Sequence, residues 1–166
     1  MFREHGQSPI APAALAGFRG LSYFDYDPAY RLEVALDEPN AATPVEIESG
    51  GHVTSLIPFA RTRGLADALG GELTLFWLAG HGGGAFLPFK DGTSGHQTPR
   101  EGRYLIDTIK AIELGFAGNG RLVFDFNFAY FPSCAYAAPS PDWICPEVPS
   151  ANHLHKDVTA GERLPA

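Results

Sequence analysis

The sequence predicts an all-β fold, either a β-sandwich or a partly closed barrel, and three observations support this prediction. Nineteen glycines and 14 prolines divide the 166 residues at the short intervals expected of turns between strands. Apolar and polar residues alternate over residues 31–36 and 45–48, as in strands with one buried face. Two apolar and aromatic runs, residues 73–78 and 122–126, are typical of strands covered on both faces.

Two further segments are expected to join this sheet. Residues 85–89 and 111–116 carry apolar and aromatic side chains at spacings that fit strands. Pro88 has no backbone N–H to donate to a neighbouring strand, so it favours a sheet edge or the end of a strand. About eight to ten short strands in a chain of this length are typical of a sandwich or barrel.

Helix is the minority state in this sequence. A short N-terminal helix is predicted over residues 11–16, directly after Ser8 and Pro9. A single helical turn is predicted over residues 65–69, because the glycines that follow stop it. Both segments are too short to be stable without packing against the rest of the fold.

The chain is predicted to form one domain over residues 1–166. Residues 1–20 form an N-terminal arm with the short helix, and residues 21–131 form the β core. Residues 132–166 form a tail that wraps over the sheet, because its prolines interrupt regular ladders and helices. These prolines are Pro132, Pro139, Pro141, Pro146, Pro149 and Pro165.

Charge and hydropathy exclude several classes of partner. The formal net charge of −7, from 19 acidic and 12 basic residues, opposes binding to nucleic acid and to anionic membrane surfaces. The mean hydropathy of −0.08 and the absence of a run of about 20 apolar residues argue against a membrane protein. We therefore expect no nucleic-acid partner and no membrane partner.

The N-terminal residues predict a cytoplasmic protein. Residues 1–7 carry an acid and a histidine where a signal peptide has Lys or Arg followed by an apolar run. Cys134 and Cys145 would then normally remain thiols. Two buried thiols and a disulfide that pins the tail are both compatible with their spacing, and the disulfide would require an oxidising environment.

Several motifs between Ala85 and Glu162 resemble one known family. They are residues 86–95 (FLPFKDGTSG), 102–105 (GRYL), 125–136 (DFNFAYFPSCAY), Cys145 with Pro146, Asn152, and 160–162 (AGE). Their order and spacing are similar to those of the DUF1684 family, a bacterial and archaeal group with no assigned function. Residues 18–21 (FRGL) resemble an early element of the same family, so the resemblance covers the last two-thirds strongly and the remainder weakly.

The sequence departs from the family pattern at three places. Phe128 stands where a basic residue is usual, His153 stands where an arginine is common, and Pro99 with Arg100 replaces an expected Tyr-Gly. If the basic positions of the family contact an anionic ligand, this chain has lost two of those contacts.

Asp125 and Asn127 form the densest polar cluster in otherwise apolar sequence. On a strand they would point to one face, two residues apart. A buried carboxylate is costly unless it is paired, and Arg103 or Lys90 is the expected partner of Asp125. We therefore predict catalytic roles for Asp125 as an acid–base group and for Tyr130 and Arg103 as positioning groups.

The tail is expected to bring further motif residues toward this centre and to enclose a small molecule. The predicted ligand-binding residues are Asp91, Ser94, Tyr104, Asn127, Cys134, Tyr136, Cys145 and Asn152. The sequence thus predicts a protein that binds a small molecule, and it leaves open whether the protein is an enzyme. The alternative is a structural or interaction protein in which these motifs only lock the tail onto the sheet.

A metal site is a second alternative. Cys134, Cys145, His153 and His155 could supply two thiolates and two imidazoles to zinc. Their spacing is loose and no Cys-x-x-Cys pair occurs, so no cofactor is predicted.

Two glycine-rich segments have simpler explanations than catalytic loops. Residues 91–95 favour an Asx turn over an anion-binding nest, because no P-loop lysine follows them. Residues 81–84 (HGGG) are expected to form a hairpin connection, since the chain has no Gly-x-Ser-x-Gly to complete a hydrolase site.

Overall fold

Nine strands, most of them in one long antiparallel sheet, are found in the computed structural model, which describes residues 8–10, 12–41, 43–49, 52–79, 83–107, 117, 119–136 and 145–165. The strands are β1 (Ser22–Tyr23), β2 (Arg31–Asp37), β3 (Val45–Ser49), β4 (His52–Arg63), β5 (Thr74–Ala79), β6 (Gly84–Phe89), β7 (Arg103–Asp107), β8 (Leu122–Asp125) and β9 (Glu162–Arg163). The helices are α1 (Pro12–Leu15) and α2 (Ala66–Leu69).

The main sheet has the order β7-β6-β5-β4-β2-β8, and β3 pairs with β4 beside this path. Strand β4 is shared, because its first half pairs with β3 and its last residues pair with β2. A bulge between Pro58 and Ala60 interrupts its ladder with β5, and such bulges bend a strand and increase its twist. The sheet curls into a nearly closed barrel, and β1 and β9 form a separate two-stranded ribbon. The predicted all-β fold is confirmed.

Most of the predicted strands are present. Residues 31–36, 45–48, 73–78, 85–89 and 122–126 correspond to β2, β3, β5, β6 and β8. The predicted strand over residues 111–116 lies outside the described residues. Four strands were not predicted: β4, β7 and the two-residue strands β1 and β9. In β4, Pro58 and the polar residues interrupt the alternation of apolar and polar side chains that predicts a strand. No such alternation marks β7.

The position of Pro88 agrees with the prediction. Pro88 is the second-last residue of β6. The ladder between β5 and β6 ends at Phe86, so Pro88 lies beyond it. Strands β5 and β6 form an antiparallel hairpin in which Leu78 lies opposite Gly84, although residues 80–82 lie outside the described ranges.

The two helices are short, as predicted. Helix α1 covers Pro12–Leu15 within the predicted residues 11–16. Helix α2 ends at Leu69, and Gly70 follows with φ of 80°, a left-handed conformation that favours glycine. No helix in the described ranges has the length and apolar character needed to cross a bilayer.

Apolar side chains lie on both sides of the main sheet, because successive residues of a strand point to opposite faces. On one side, the main core consists of Val34, Ala60, Leu65, Leu69, Leu73, Leu75, Leu87, Phe89, Leu105, Ile106, Phe124, Phe126, Ala129, Leu154, Val158 and Ala160. The other side carries a second cluster of Ile47, Leu56, Phe76, Phe86 and Tyr104, against which Leu78 and Tyr130 pack. The register of the strands explains this division, because residues directly opposite each other point to the same face. Phe76 lies opposite Phe86, and both belong to the second cluster.

The Pro-rich tail packs over the sheet, as predicted. Leu154, Val158 and Ala160 are buried in the main core. The tail runs beside the end of β6, where Lys90 N donates to Asn152 O at 3.0 Å and Leu154 N donates to Lys90 O at 2.8 Å. The backbone of the tail is therefore hydrogen-bonded to the sheet that it covers.

The side chain of Asn152 fixes the tail where β5 and β6 separate. Its Oδ1 accepts from Thr74 N at 2.8 Å, and its Nδ2 donates to Thr74 O at 2.9 Å and to Pro88 O at 2.7 Å. Asn152 is fully buried. The amide thus satisfies backbone groups of both strands beyond their last direct pair.

Replacing Asn152 with alanine is expected to lower the free energy of unfolding by about 3 kcal/mol, because three buried backbone groups lose their partners. Chemical denaturation followed by circular dichroism measures this loss. The matched control is Asn119→Ala, since Asn119 is exposed, and it is expected to change stability by less than about 1 kcal/mol. Equal losses in the two variants would contradict the role of Asn152.

Candidate functional site

Arg103 is the most deeply buried charged residue among the predicted site residues, with 0% of its surface exposed. Its Nη2 forms an ion pair with Asp91 Oδ2 at 2.9 Å and donates to Val158 O at 2.8 Å. Its Nη1 donates to the backbone oxygens of Ala160 and Glu162. Burial lowers the pKa of the guanidinium, and the Asp91 carboxylate counteracts this effect. Arg103 therefore binds the tail through a charge that is neutralised inside the protein.

Asp91 is equally committed to protein partners. Its Oδ1 accepts from Thr93 N at 2.8 Å, from Thr93 Oγ1 at 2.6 Å and from Val158 N at 3.2 Å. Ser94 Oγ accepts from Asp91 N at 3.2 Å. The Asp91–Thr93 bond is the expected Asx turn. The predicted ligand-binding residues Asp91 and Ser94 thus bond to their own loop and to the tail.

Asp125 does not pair with Arg103 or with Lys90, so this predicted ion pair is wrong. Its Oδ2 accepts from Tyr26 OH at 3.2 Å, and its Oδ1 accepts from the backbone and side-chain nitrogens of Asn127 at 3.1 and 2.7 Å. Arg103 instead neutralises Asp91, which precedes it by 12 residues. The carboxylate of Asp125 is stabilised by hydrogen bonds rather than by a cation.

Asn127 connects this turn to the N-terminal part of the chain. Its Oδ1 accepts from Asp27 N at 2.9 Å and its Nδ2 donates to Asp27 O at 2.8 Å. The strand predicted through residues 122–126 ends at Asp125, and Phe126–Phe128 form a 3-10 turn. The strand therefore ends before Phe128, and this side chain is 56% exposed.

Tyr130 and Tyr104 lie together on the side of the second cluster. Tyr130 OH donates to Asp107 Oδ2 at 2.8 Å, and the two tyrosine rings meet edge to face with centroids 5.9 Å apart. The ring of Phe86 packs against the ring of Tyr104 with centroids 4.7 Å apart. Burial raises the pKa of both phenols, and the Asp107 carboxylate raises that of Tyr130 further. Both side chains are thus held as neutral phenols.

Cys134 and Cys145 form a disulfide with Cα atoms 5.3 Å apart. The expectation that they remain thiols is therefore wrong, and the alternative of a disulfide that pins the tail is confirmed. Tyr136 follows Cys134 by two residues and packs against Phe131 with ring centroids 5.6 Å apart. The disulfide joins the segment after β8 to the segment that leads to Asn152.

The alternative zinc site does not form from these residues, because a disulfide offers no thiolate to a metal. His153 Nε2 lies 3.2 Å from Val148 O, and His155 is exposed. The described part of the chain contains no group of three or more His, Cys, Asp or Glu side chains that could hold a metal ion.

The predicted site residues thus belong to separate networks. Arg103 with Asp91, Asp125 with Asn127, Tyr130 with Tyr104, and the disulfide each bond to different neighbours. The expected convergence of the tail on Asp125 and Asn127 is not observed among their hydrogen bonds. Catalytic roles for Asp125, Tyr130 and Arg103 stay predictions.

Glu162 is a buried acid that was not predicted as a site residue, although it belongs to the motif at residues 160–162. It is 2% exposed, and its Oε2 accepts from Phe131 N at 2.8 Å. Burial raises the pKa of its carboxyl group from 4.5 to about 7, against the opposing effects of this hydrogen bond and of Arg103. Tyr23 lies opposite it in β1.

Gly161 allows the tail to approach the turn that follows β8. Its φ is 78°, and a Cβ at this position would lie 2.6 Å from both Phe126 O and Ala129 O. Any side chain here would collide with backbone atoms, so the motif at residues 160–162 requires glycine for packing.

A cavity of about 380 Å³ opens on the side of the sheet that carries the second cluster. Its walls come from β3, β4, β5, the loop before β3 and the tail. The described lining residues are Asn40, Ala41, Thr43, Val45, Pro58, Arg61, Thr74, Phe76, Pro149, Ser150 and Ala151. Of the predicted site residues, only Asn152 is next to this lining in sequence.

Sequence reasoning missed this cavity for a definite reason. Arg61 and Pro58 lie on β4, which was not recognised as a strand, so their direction could not be assigned. The prediction that the tail encloses a site on the sheet was the one useful signal, because residues 149–151 form a wall of the cavity.

Comparison with known proteins identifies the family of this chain but assigns no activity to it. The sequence matches the family described as "Protein of unknown function (DUF1684)" over residues 16–163. The fold is similar to the solution NMR structure of an uncharacterized protein from Haloarcula marismortui, with a TM-score of 0.63 and 33% sequence identity. That match covers 98% of this chain and 86% of the other. No curated protein matches the sequence.

The buried ion pair can be tested against an exposed one in the same protein. Asp91→Asn is expected to lower the free energy of unfolding by about 3 kcal/mol or more, because it leaves the Arg103 charge buried without compensation. Asp37→Asn breaks the exposed pair with Arg63 and is expected to cost less than about 1 kcal/mol. Urea denaturation of both variants measures the difference, and similar losses would refute the proposed contribution of burial.

The raised pKa of Glu162 predicts a loss of stability as the pH rises. Between pH 4.5 and about 7 the unfolded chain releases the proton of Glu162 while the folded protein keeps it. Folding therefore becomes less favourable over this range, by about 2 kcal/mol after allowance for screening.

The variant Glu162→Gln keeps the shape of the side chain and cannot ionise. The difference in unfolding free energy between the wild type and this variant should shift in favour of the variant from pH 4.5 to 7. Denaturation series at several pH values measure it. A difference that does not change with pH would show that Glu162 titrates normally.

Proposed function

Because this chain belongs to the DUF1684 family, which is described only as proteins of unknown function, we propose a function from the cavity: the protein binds a small molecule between β3, β4, β5 and the tail. The volume of about 380 Å³ carries this proposal. Small-molecule sites are concave and typically measure about 300–1,000 Å³. The cavity lies at the lower end of this range.

The composition of the walls supports the same function. Phe76, Pro58, Val45 and Pro149 provide apolar surface, while Arg61 and several hydroxyl and amide side chains provide polar groups. A mostly apolar pocket with a few polar groups that orient the ligand is the usual design of such sites.

Phe76 connects the cavity to the second cluster. It lines the cavity and also lies opposite Phe86, which packs against Tyr104. The aromatic side chains of three neighbouring strands therefore form a continuous surface from the cavity to β7. Tyr104 belongs to this surface and meets the ring of Tyr130 edge to face, so two predicted site residues lie at its β7 end.

The family motifs contribute to this function by holding the wall. Asn152 anchors the segment that contains residues 149–151, and Arg103 binds the tail further along. This arrangement also supports the alternative in which the motifs only lock the tail, because Arg103, Asp125, Asn127 and Asn152 all bond to other segments of the chain. Occupancy of the cavity distinguishes the two functions.

A substitution that fills the cavity tests the proposal. Ala151 is exposed and lines the cavity, so Ala151→Trp should occupy the space without disturbing the core. Aromatic fragments, screened by two-dimensional ¹H–¹⁵N NMR, are expected to shift the amides of Val45, Thr74 and Phe76 in the wild type. The same fragments should leave the corresponding amides of the variant unchanged.

The matched control is Ala68→Trp, which adds the same side chain at an exposed position of α2 outside the cavity lining. This variant should bind the fragments as the wild type does. Fragments that shift no cavity amide in the wild type, or that bind Ala151→Trp equally well, would reject a ligand site here and favour the structural alternative.

A further inference from the structure

Arg61 is the one charged side chain among the described residues that line the cavity. The remaining polar groups of that lining are the hydroxyls of Thr43, Thr74 and Ser150 and the amide of Asn40. These neutral groups can donate hydrogen bonds, and no described lining residue is acidic. The polar side of the cavity is therefore suited to an anionic group.

No carboxylate of the described residues forms an ion pair with the guanidinium of Arg61. Asp37 lies opposite Arg61 across β2 and β4, but its carboxylate accepts from Arg63 Nε at 3.0 and 2.9 Å. Within the described residues, Arg61 itself forms no side-chain hydrogen bond and no ion pair. Arg61 is only partly exposed, so its guanidinium has lost part of its contact with water. An anion bound at this position would replace that lost interaction.

The number of charges limits the kind of anion. One guanidinium can bind one carboxylate through two parallel hydrogen bonds. A phosphate dianion would bring a second negative charge that no other cation of the described lining balances. The net charge of −7 also opposes the approach of multiply charged anions.

The apolar walls define the rest of the ligand. Val45, Pro58 and Phe76 lie on the same face of the sheet, since Val45 is opposite Leu56 and Pro58 is opposite Phe76. Pro149 faces them from the tail. This surface would bury an aromatic or aliphatic body, which contributes about 25 cal/mol per Å² of apolar area removed from water.

From these observations, we infer that the ligand is a small monocarboxylic acid with an apolar body, bound through its carboxylate to Arg61. The body lies against Phe76, Pro58 and Val45. This inference rests on the proposed function and names the class of its ligand.

Phenylacetate and 2-phenylethanol are suitable probes, because they have similar apolar bodies and only the first carries a charge. Each is titrated into ¹⁵N-labelled protein, and the shifts of the Val45, Thr74 and Phe76 amides report binding at the cavity. Phenylacetate is expected to bind the wild type at least about tenfold more tightly than 2-phenylethanol, the usual contribution of a hydrogen bond to a charged group.

Arg61→Gln should remove this preference, lowering the affinity for phenylacetate about tenfold and leaving that for 2-phenylethanol unchanged. Arg61→Lys should restore part of it. The matched control is Arg100→Gln, which removes an exposed cation that pairs with Glu101 and lies outside the lining, and this variant should bind as the wild type does. Melting temperatures of the variants show that each one is folded.

The outcomes separate the two proposals. If neither probe shifts the cavity amides, the proposed function fails together with the inference. If both probes bind equally, or if Arg61→Gln binds phenylacetate as well as the wild type, the cavity binds small molecules but the inference is overturned. Tighter binding of inorganic phosphate than of phenylacetate at the same amides would also overturn it.

Discussion

The buried ion pair between Arg103 and Asp91 joins the turn after β6 and the start of β7 to the tail, which is 55 residues further along the chain at Val158. Arg103 begins β7, Asp91 follows β6, and both bond to the tail at Val158. A guanidinium without exposed surface is costly unless its charge is paired inside the protein, and here Asp91 and backbone oxygens of the tail accept from both terminal nitrogens of Arg103. The last part of the chain supplies the backbone acceptors, so the pair and the tail depend on each other.

The position of the tail in turn forms the cavity. Asn152 bonds to the backbone of β5 and β6, which places residues 149–151 against the sheet. The disulfide between Cys134 and Cys145 limits how far the tail can move from the segment after β8. The family motifs therefore lie mainly behind the wall of the proposed site, and Arg61, which no motif contains, faces the interior.

Local patterns predicted five strands, both helices and the covering tail, because alternation, apolar runs and proline content are properties of neighbouring residues. Strand β4 was missed because Pro58 and its bulge break the alternation. The partner of Asp125 was predicted wrongly because sequence spacing does not distinguish two acids near one arginine. Asp91 forms the ion pair because the turn after β6 brings it to Arg103. Asp125 instead accepts hydrogen bonds from Tyr26 and Asn127.

Residue order and composition were enough to predict an all-β chain with a tail that packs on it, a net negative charge, and a resemblance to a family through its motifs. These properties depend on composition and on short-range order. The three-dimensional fold was needed to show which acid neutralises Arg103, that the two cysteines are bonded, and where a cavity lies. The reason is physical: burial, ion pairing and cavity shape depend on the register of strands that are distant in sequence, and residue order alone does not specify that register.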